Sequence, residues 1–234
     1  MRLQNLQLRR SMVRAVILLL LLPAGLLLAQ TEKVAITTWS NQARDLFVNG
    51  RDKFENIEFA AAAQLFDKAI QKDTNFALAY LFRAQSGGGG DVFRRNLDKA
   101  VSLADKVSPG ERLLILATKA NTDGDRAKYK EYLDEILLKF PKDKRSHAAM
   151  GGYYNGSGDT EGAIPHYQKA VEIDKNFAPV HNILGYAYKG LGKYKEAEDA
   201  FKRYMELALK SPNPTDSYAE LLLKMGRFDE SIQY

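Results

Sequence analysis

From Asn41 onward, apolar residues recur every three or four positions in short runs, and the runs come in pairs. Leu46, Gly50 and Phe54 form one stripe; Phe59, Ala62, Phe66 and Ala69 form the next. That spacing puts each set on one face of an α-helix. Ser40 stands where an N-cap is needed, and Asp73-Thr74-Asn75 close the pair with turn formers. The pattern predicts helical hairpins laid end to end, an all-α chain. Trp39, just outside the first cap, is expected to pack against the open end of the first helix.

The hairpins repeat. When the stretch from Ala148 is laid over the stretch from Asn182, 34 residues on, the key columns coincide. Met150 meets Leu184, Gly151 meets Gly185, Tyr154 meets Tyr188, Gly158 meets Gly192, Ala163 meets Ala197 and Tyr167 meets Phe201. A fixed period of this length marks a helical-repeat array, in which each unit buries its apolar face only against its neighbours. The expected repeats are 43–76, 77–109, 110–143, 144–177 and 178–211, with a truncated sixth at 212–234. Residues 30–42 read as a linker.

The repeats are unequal. In the second, Ser86 and the run Gly87 to Gly90 break the pattern. A second helix is expected from about Val92, with Leu97, Val101 and Ala104 inward. The glycine run lacks the Gly-Lys-Ser/Thr ending of a phosphate loop and follows a helix, so it reads as an inter-helix connection. The third repeat opens with Ser108-Pro109-Gly110-Glu111, a capping box with proline in the first turn. Leu113, Leu116 and Ala117 are expected to line its first helix, and Tyr129, Leu133 and Ile136 its second. Pro165 falls about six residues into a helix starting near Thr160, where it removes a backbone hydrogen bond and is expected to kink or loosen the helix.

These columns resemble the tetratricopeptide repeat family over residues 43–234. The small column is Gly50, Ala84, Ala117, Gly151, Gly185 and Ala219. The turn glycine is Gly124, Gly158, Gly192 and Gly226, with Ile57 in its place in the first repeat. Ala62-Phe66-Ala69 and Ala163-Tyr167-Ala170 complete the pattern of the second helix, and Pro141 supplies a closing proline. The resemblance implies an α-solenoid of antiparallel helix pairs, a right-handed superhelix of five full repeats and a truncated sixth. It implies a concave face lined by the first helices, which holds an extended peptide or a partner's helix. Carried over column by column, that face contains Arg51, Thr118, Asn121, Arg145, Asn155, Asn182, Tyr186, Lys189 and Glu220. The row Arg51, Gln85, Thr118, Gly152, Tyr186, Glu220 lacks the lysines and asparagines with which the chaperone-binding subgroup clamps a peptide's C-terminal carboxylate.

Charge changes the picture at the N-terminus. The chain of 234 residues carries 34 Lys and Arg against 29 Asp and Glu, a formal net of +5. Arg2, Arg9, Arg10 and Arg14 fall in residues 1–29, which hold no acid; from Gln30 onward the balance is 30 to 29, or +1. No basic footprint for nucleic acid remains. The basic start, the apolar run Val16 to Ala29 and the polar residues after it describe a secretory signal peptide, cut after Ala29. The expected place is the bacterial periplasm or cell exterior. The rival reading is an uncleaved membrane anchor, but the run is shorter than the roughly 20 apolar residues that span a bilayer. Arg9-Arg10 hints at a twin-arginine signal, and Met12 is an alternative start.

Candidate chemistry is sparse. With no cysteine there is no disulfide, thiol nucleophile or thiolate ligand. His147 and His181 are 34 apart and so are expected at equivalent places on successive helices; two imidazoles with no third ligand make a poor metal site. No serine-hydrolase, zinc-protease or dinucleotide motif occurs. The chain is therefore expected to be a non-enzymatic interaction module without a cofactor, bound to a protein or peptide. The alternatives are the front part of a longer exported enzyme with a catalytic domain beyond Tyr234, and a self-assembling array.

Overall fold

A computed structural model of the chain describes residues 34–209 and 213–234. These belong to one compact unit, 32–234. The signal-peptide reading of residues 1–29 lies outside the described residues. Among the described residues there are helices and turns and no strand. The helices are α1 Asn41–Glu55, α2 Phe59–Lys72, α3 Ala77–Gln85, α4 Gly90–Ser102, α5 Pro109–Thr122, α6 Arg126–Lys139, α7 Lys144–Asn155, α8 Thr160–Ile173, α9 Ala178–Gly190, α10 Tyr194–Leu207, α11 Asn213–Lys224 and α12 Phe228–Ser231. Odd-numbered helices are the first of each pair and even-numbered ones the second. Each packs against its own partner and then its neighbours, which makes an α-solenoid.

Local chemistry fixes where helices start. Ser40, Asp125, Asp143 and Asp159 each accept a backbone N–H of the first turn through the side chain. Ser108 and Glu111 form the expected capping box. Each cap satisfies donors that the helix itself leaves open. Pro165 does not divide α8, which runs as one element from Thr160 to Ile173 under the Asp159 cap.

The small column works by close approach within each hairpin. A Cβ built on Gly50 would stand 2.8 Å from the Phe66 ring, on Gly151 2.5 Å from Tyr167, and on Gly185 2.5 Å from Phe201. Glycine on the first helix thus seats the buried aromatic of the second. In the first repeat, Phe47 is also fully buried and meets Phe66, Phe76 and Phe82 at centroid distances of 5.6, 5.0 and 5.3 Å. Phe47 and Ile115 are core residues that the sequence columns do not single out. Phe59, expected inward, is 42% exposed and lies edge-on to Phe54 instead.

Turn geometry explains the glycine column. Gly124, Gly158, Gly192 and Gly226 have φ of +76°, +83°, +71° and +75°, the left-handed region that side chains avoid. Ile57 holds the same conformation at φ +64°. A non-glycine residue there costs about 1–2 kcal/mol. Its side chain packs against Ala178, Tyr204 and Ala208 of the fifth repeat, a contact that glycine cannot make. Gly192 has no such use for a side chain, since an added Cβ meets nothing within 4 Å. Gly192→Ala should therefore lower stability by about 1–2 kcal/mol through the backbone alone; urea unfolding measures it.

The second repeat differs from expectation in its turn. Gly87, Gly88 and Gly89 all have positive φ, and α4 begins at Gly90 rather than Val92. Arg83 donates to the Gly87 carbonyl at 2.9 Å. The segment before α1 is also more than a linker. Thr37 donates its backbone N–H to Glu111 at 2.8 Å, Thr38 donates to Asp73 at 2.6 Å, and Val34 packs on Leu113, Ile136 and Phe140. Trp39 does not pack as expected: its backbone N–H reaches Asp73 at 3.3 Å while the side chain is 94% exposed.

Candidate functional site

On the first helices, several of the candidate residues fall into two contact groups. The first group lies where α1 meets the fourth repeat. Glu55, at the end of α1, accepts from Lys144 at 2.7 Å and from Arg145. Lys144 also reaches Asp174 at 2.5 Å, and its ammonium sits 4.3 Å from the Phe177 ring centroid. This bridge joins residues 89 positions apart. Burial pushes the Asp174 carboxyl up, but hydrogen bonds from Lys144 and from the Asn176 N–H outweigh it and leave the group below its usual value. Arg51 lies beside the bridge, its guanidinium 5.7 Å from the Phe47 ring centroid. Burial first, and Arg145 second, pull the Arg51 guanidinium below its usual value; arginine stays charged all the same.

Thr118, Asn121 and Arg145 line a cavity of about 280 Å³ on the far side of the bridge, with apolar walls from Phe54, Leu81 and Leu114. Thr118 spends its hydroxyl on the Leu114 carbonyl at 3.0 Å.

The second group spans α9 and α11. The Tyr186 hydroxyl donates to Glu220 at 3.0 Å and lies 3.2 Å from the Ser217 hydroxyl. Lys189 pairs with Glu220 at 2.6 Å and stands 4.4 Å from the Tyr186 ring centroid. The Lys189 hydrogen bond lowers the Glu220 carboxyl from its usual value, and burial raises the Tyr186 phenol. Tyr186 is 39% exposed. One turn earlier, Asn182 has a buried Oδ1 that reaches no donor of the protein among the described residues. Asn155 joins neither group; it ends α7, is exposed, and accepts from Thr160 at 3.2 Å.

His147 lies 6.1 Å from His166, not beside His181. His147 and His181 instead do the same job in successive repeats, each with Nε2 on a carbonyl before its helix, Pro141 at 2.9 Å and Lys175 at 3.0 Å. His166 stacks on Tyr154 at 5.4 Å. Burial pushes its imidazole below the usual value, and His147 adds to this. Among the described residues no group of three or more His, Asp or Glu is placed to hold a metal, and no helix is long and apolar enough to cross a membrane.

A third polar cluster fastens the C-terminal pair. Glu198 on α10 accepts from Lys202 at 2.8 Å, from the Tyr218 hydroxyl at 2.9 Å and from Arg227 at 3.1 Å. These hydrogen bonds, Lys202 first, lower the Glu198 carboxyl to about 2. A carboxyl lowered on folding stabilises above its unfolded value and loses that contribution as pH falls through its folded one. Docking of α11 and α12 should therefore weaken between about pH 4.5 and pH 2, and Glu198→Gln should remove that part of the acid sensitivity. Hydrogen exchange in α11 read against pH tests this.

Comparison with known proteins agrees with the fold. Residues 153–192 match the TPR repeat family and residues 178–211 a tetratricopeptide repeat family. A TPR repeat-containing protein of Methanocaldococcus jannaschii is 22% identical over 227 residues, covering 79% of this chain and 40% of its own length. An uncharacterized protein of Haemophilus influenzae is 32% identical over 96 residues, covering 37% of this chain and 51% of its own. The chain thus spans 40% to 51% of the length of these curated relatives. Among solved structures, the type IV pilus biogenesis factor PilW matches with a TM-score of 0.54 at 15% identity, over 83% of this chain and 91% of its own. The Cut9–Hcn1 complex matches with 0.55 at 21%, over 82% and 40%. Human IFIT1, solved as a dimer with m7Gppp-AAAA, matches with 0.59 at 17%, over 75% and 44%. At these identities the structures share the fold, and a fold does not choose a ligand. The family matches show that residues 153–211 carry tetratricopeptide repeats, within a chain whose period and hairpins follow the same pattern. Proteins of this class are in general scaffolds for protein–protein interaction.

Proposed function

We propose that the chain is an exported, non-enzymatic scaffold that holds an extended peptide or a partner's helix on the inner face of its fifth and sixth repeats. The observation that carries this reading is the placement of Tyr186, Lys189 and Glu220 on adjacent first helices, beside the unsatisfied Asn182 Oδ1. A partly exposed tyrosine supplies contact area at small entropic cost, and a buried acceptor without a donor favours a partner that brings an N–H. Toward the N-terminus the same face is crossed by the Glu55 bridge, which leaves α9 and α11 as the accessible stretch.

Export rests on the basic start and apolar run of residues 1–29. A mature chain beginning at Gln30, found by N-terminal sequencing of the periplasmic protein, supports it; an intact N-terminus in the cytoplasm overturns it.

A photo-crosslinking residue placed at Lys189 should capture a partner, and one at the outer-face Lys169 should not. Asn182→Ala with Tyr186→Ala should weaken binding of the captured partner by about tenfold or more while helicity stays unchanged. Equal capture at both positions, or full retention by the double variant, overturns the assignment of this face.

A further inference from the structure

Two cavities meet at the Glu55 bridge. One, of about 400 Å³, is lined by charged side chains that include Arg51, Asp52, Lys144 and Asp174. The other, of about 280 Å³, has apolar walls that include Phe54, Leu133 and Phe177. Glu55, Phe82, Leu114 and Arg145 line both, so the charged and apolar spaces adjoin.

Arg51, Lys142, Lys144 and Arg145 line the charged cavity against Asp52, Glu55, Asp143 and Asp174, so the formal charges balance while the hydrogen bonds do not. Asp143 caps α7 through the N–H groups of Arg145 and Ser146. Glu55 and Asp174 hold Lys144 and Arg145. Asp52 is exposed. Arg51 makes no ion pair among the described residues, although it is half-buried and its charge is opposed by Arg145 and favoured by Glu55, Asp52 and Asp143. The Nε atoms of both arginines are buried and reach no acceptor among the described residues. A buried donor without an acceptor is costly, and more so on a charged group. An anion between the two guanidinium groups would satisfy both and relieve their repulsion. The apolar cavity next to them selects which anion.

We propose that this double cavity binds a small apolar carboxylic acid, with the carboxylate between Arg51 and Arg145 and the hydrocarbon tail against Phe54, Phe82 and Leu114. The site is separate from the partner face on α9 and α11 and does not depend on it. Inorganic phosphate would meet the arginines but leave the apolar walls uncovered. A neutral alcohol would do the reverse.

The test is calorimetric titration of the full chain with decanoate, and in separate arms with decanol and inorganic phosphate. Decanoate should saturate a single site and raise the melting temperature. Arg51→Met should weaken it by about tenfold or more, Leu114→Trp should block it by filling the tail space, and Lys189→Gln should leave it unchanged. Decanol or phosphate binding as tightly as decanoate overturns the proposal, as does decanoate binding that Arg51→Met leaves intact. The melting shift needs no variant, so the proposal stays testable even where a substitution fails to fold: no shift with decanoate, or an equal one with decanol, overturns it.

Discussion

Gly185→Ala should destabilise the protein in the native sequence and stabilise it once Phe201 is removed. An added Cβ would stand 2.5 Å from the Phe201 ring, which is itself fully buried. The ring cannot retreat, because Tyr186 lies edge-on to it at 5.1 Å and it is packed with Ala197, Tyr218, Leu221 and Leu222. Overpacking of this kind costs about 1–3 kcal/mol. Phe201→Ala alone should cost about 3–5 kcal/mol, the transfer and cavity terms together. In that background the clash is gone and alanine gains its helix propensity over glycine, about 1 kcal/mol. Urea unfolding of the four proteins in the cycle measures the sign change. A glycine substitution that costs the same in both backgrounds would mean that the hairpin is not held by this contact. Phe66→Ala, opposite Gly50, should behave like Phe201→Ala.

Glu111→Ala should be nearly as damaging, for a different reason. The carboxylate is fully buried, at 0% exposure. It accepts the backbone N–H of Thr37 at 2.8 Å, the Thr37 hydroxyl, and the backbone N–H and hydroxyl of Ser108 at 3.0 and 2.9 Å. Truncation leaves the Thr37 N–H without its acceptor at a cost of about 1–3 kcal/mol, leaves the Ser108 N–H with only the Thr37 hydroxyl at 3.2 Å, and removes the capping box. The expected loss is about 3 kcal/mol. The expected local result is release of residues 34–40 from α5. Hydrogen exchange at Thr37 and Ser108 should speed up together; protection that persists at Thr37 would show that the segment is held by Val34 and Ile36 instead.

Much of the fold was legible because it is local. A hairpin needs an apolar face at helical spacing, a cap at the start and a left-handed turn, and each is written in neighbouring residues. Ser40, the Ser108–Glu111 box and the four turn glycines could be read directly. Even Ile57 showed as the exception in the glycine column. The proposed binding face was legible in part. Tyr186, Lys189 and Glu220 came from a column rule, and the structure brings them into contact across successive repeats. Asn155 came from the same rule and joins none of these contacts, since it ends its helix and pairs with Thr160.

The sequence by itself determined that this chain is a stack of helix pairs on a period of 34, because each unit packs on its neighbours and so repeats its own pattern. What happens across the stack depends on contacts between distant repeats. The contact of Glu55 with Lys144 and Arg145, and of Ile57 with Ala178 and Tyr204, join the first repeat to the fourth and fifth. No periodicity records such contacts, because they depend on how the small rotations between repeats add up over three or four units. Contacts of that range bring two arginines, an apolar cavity and a charged bridge to one place.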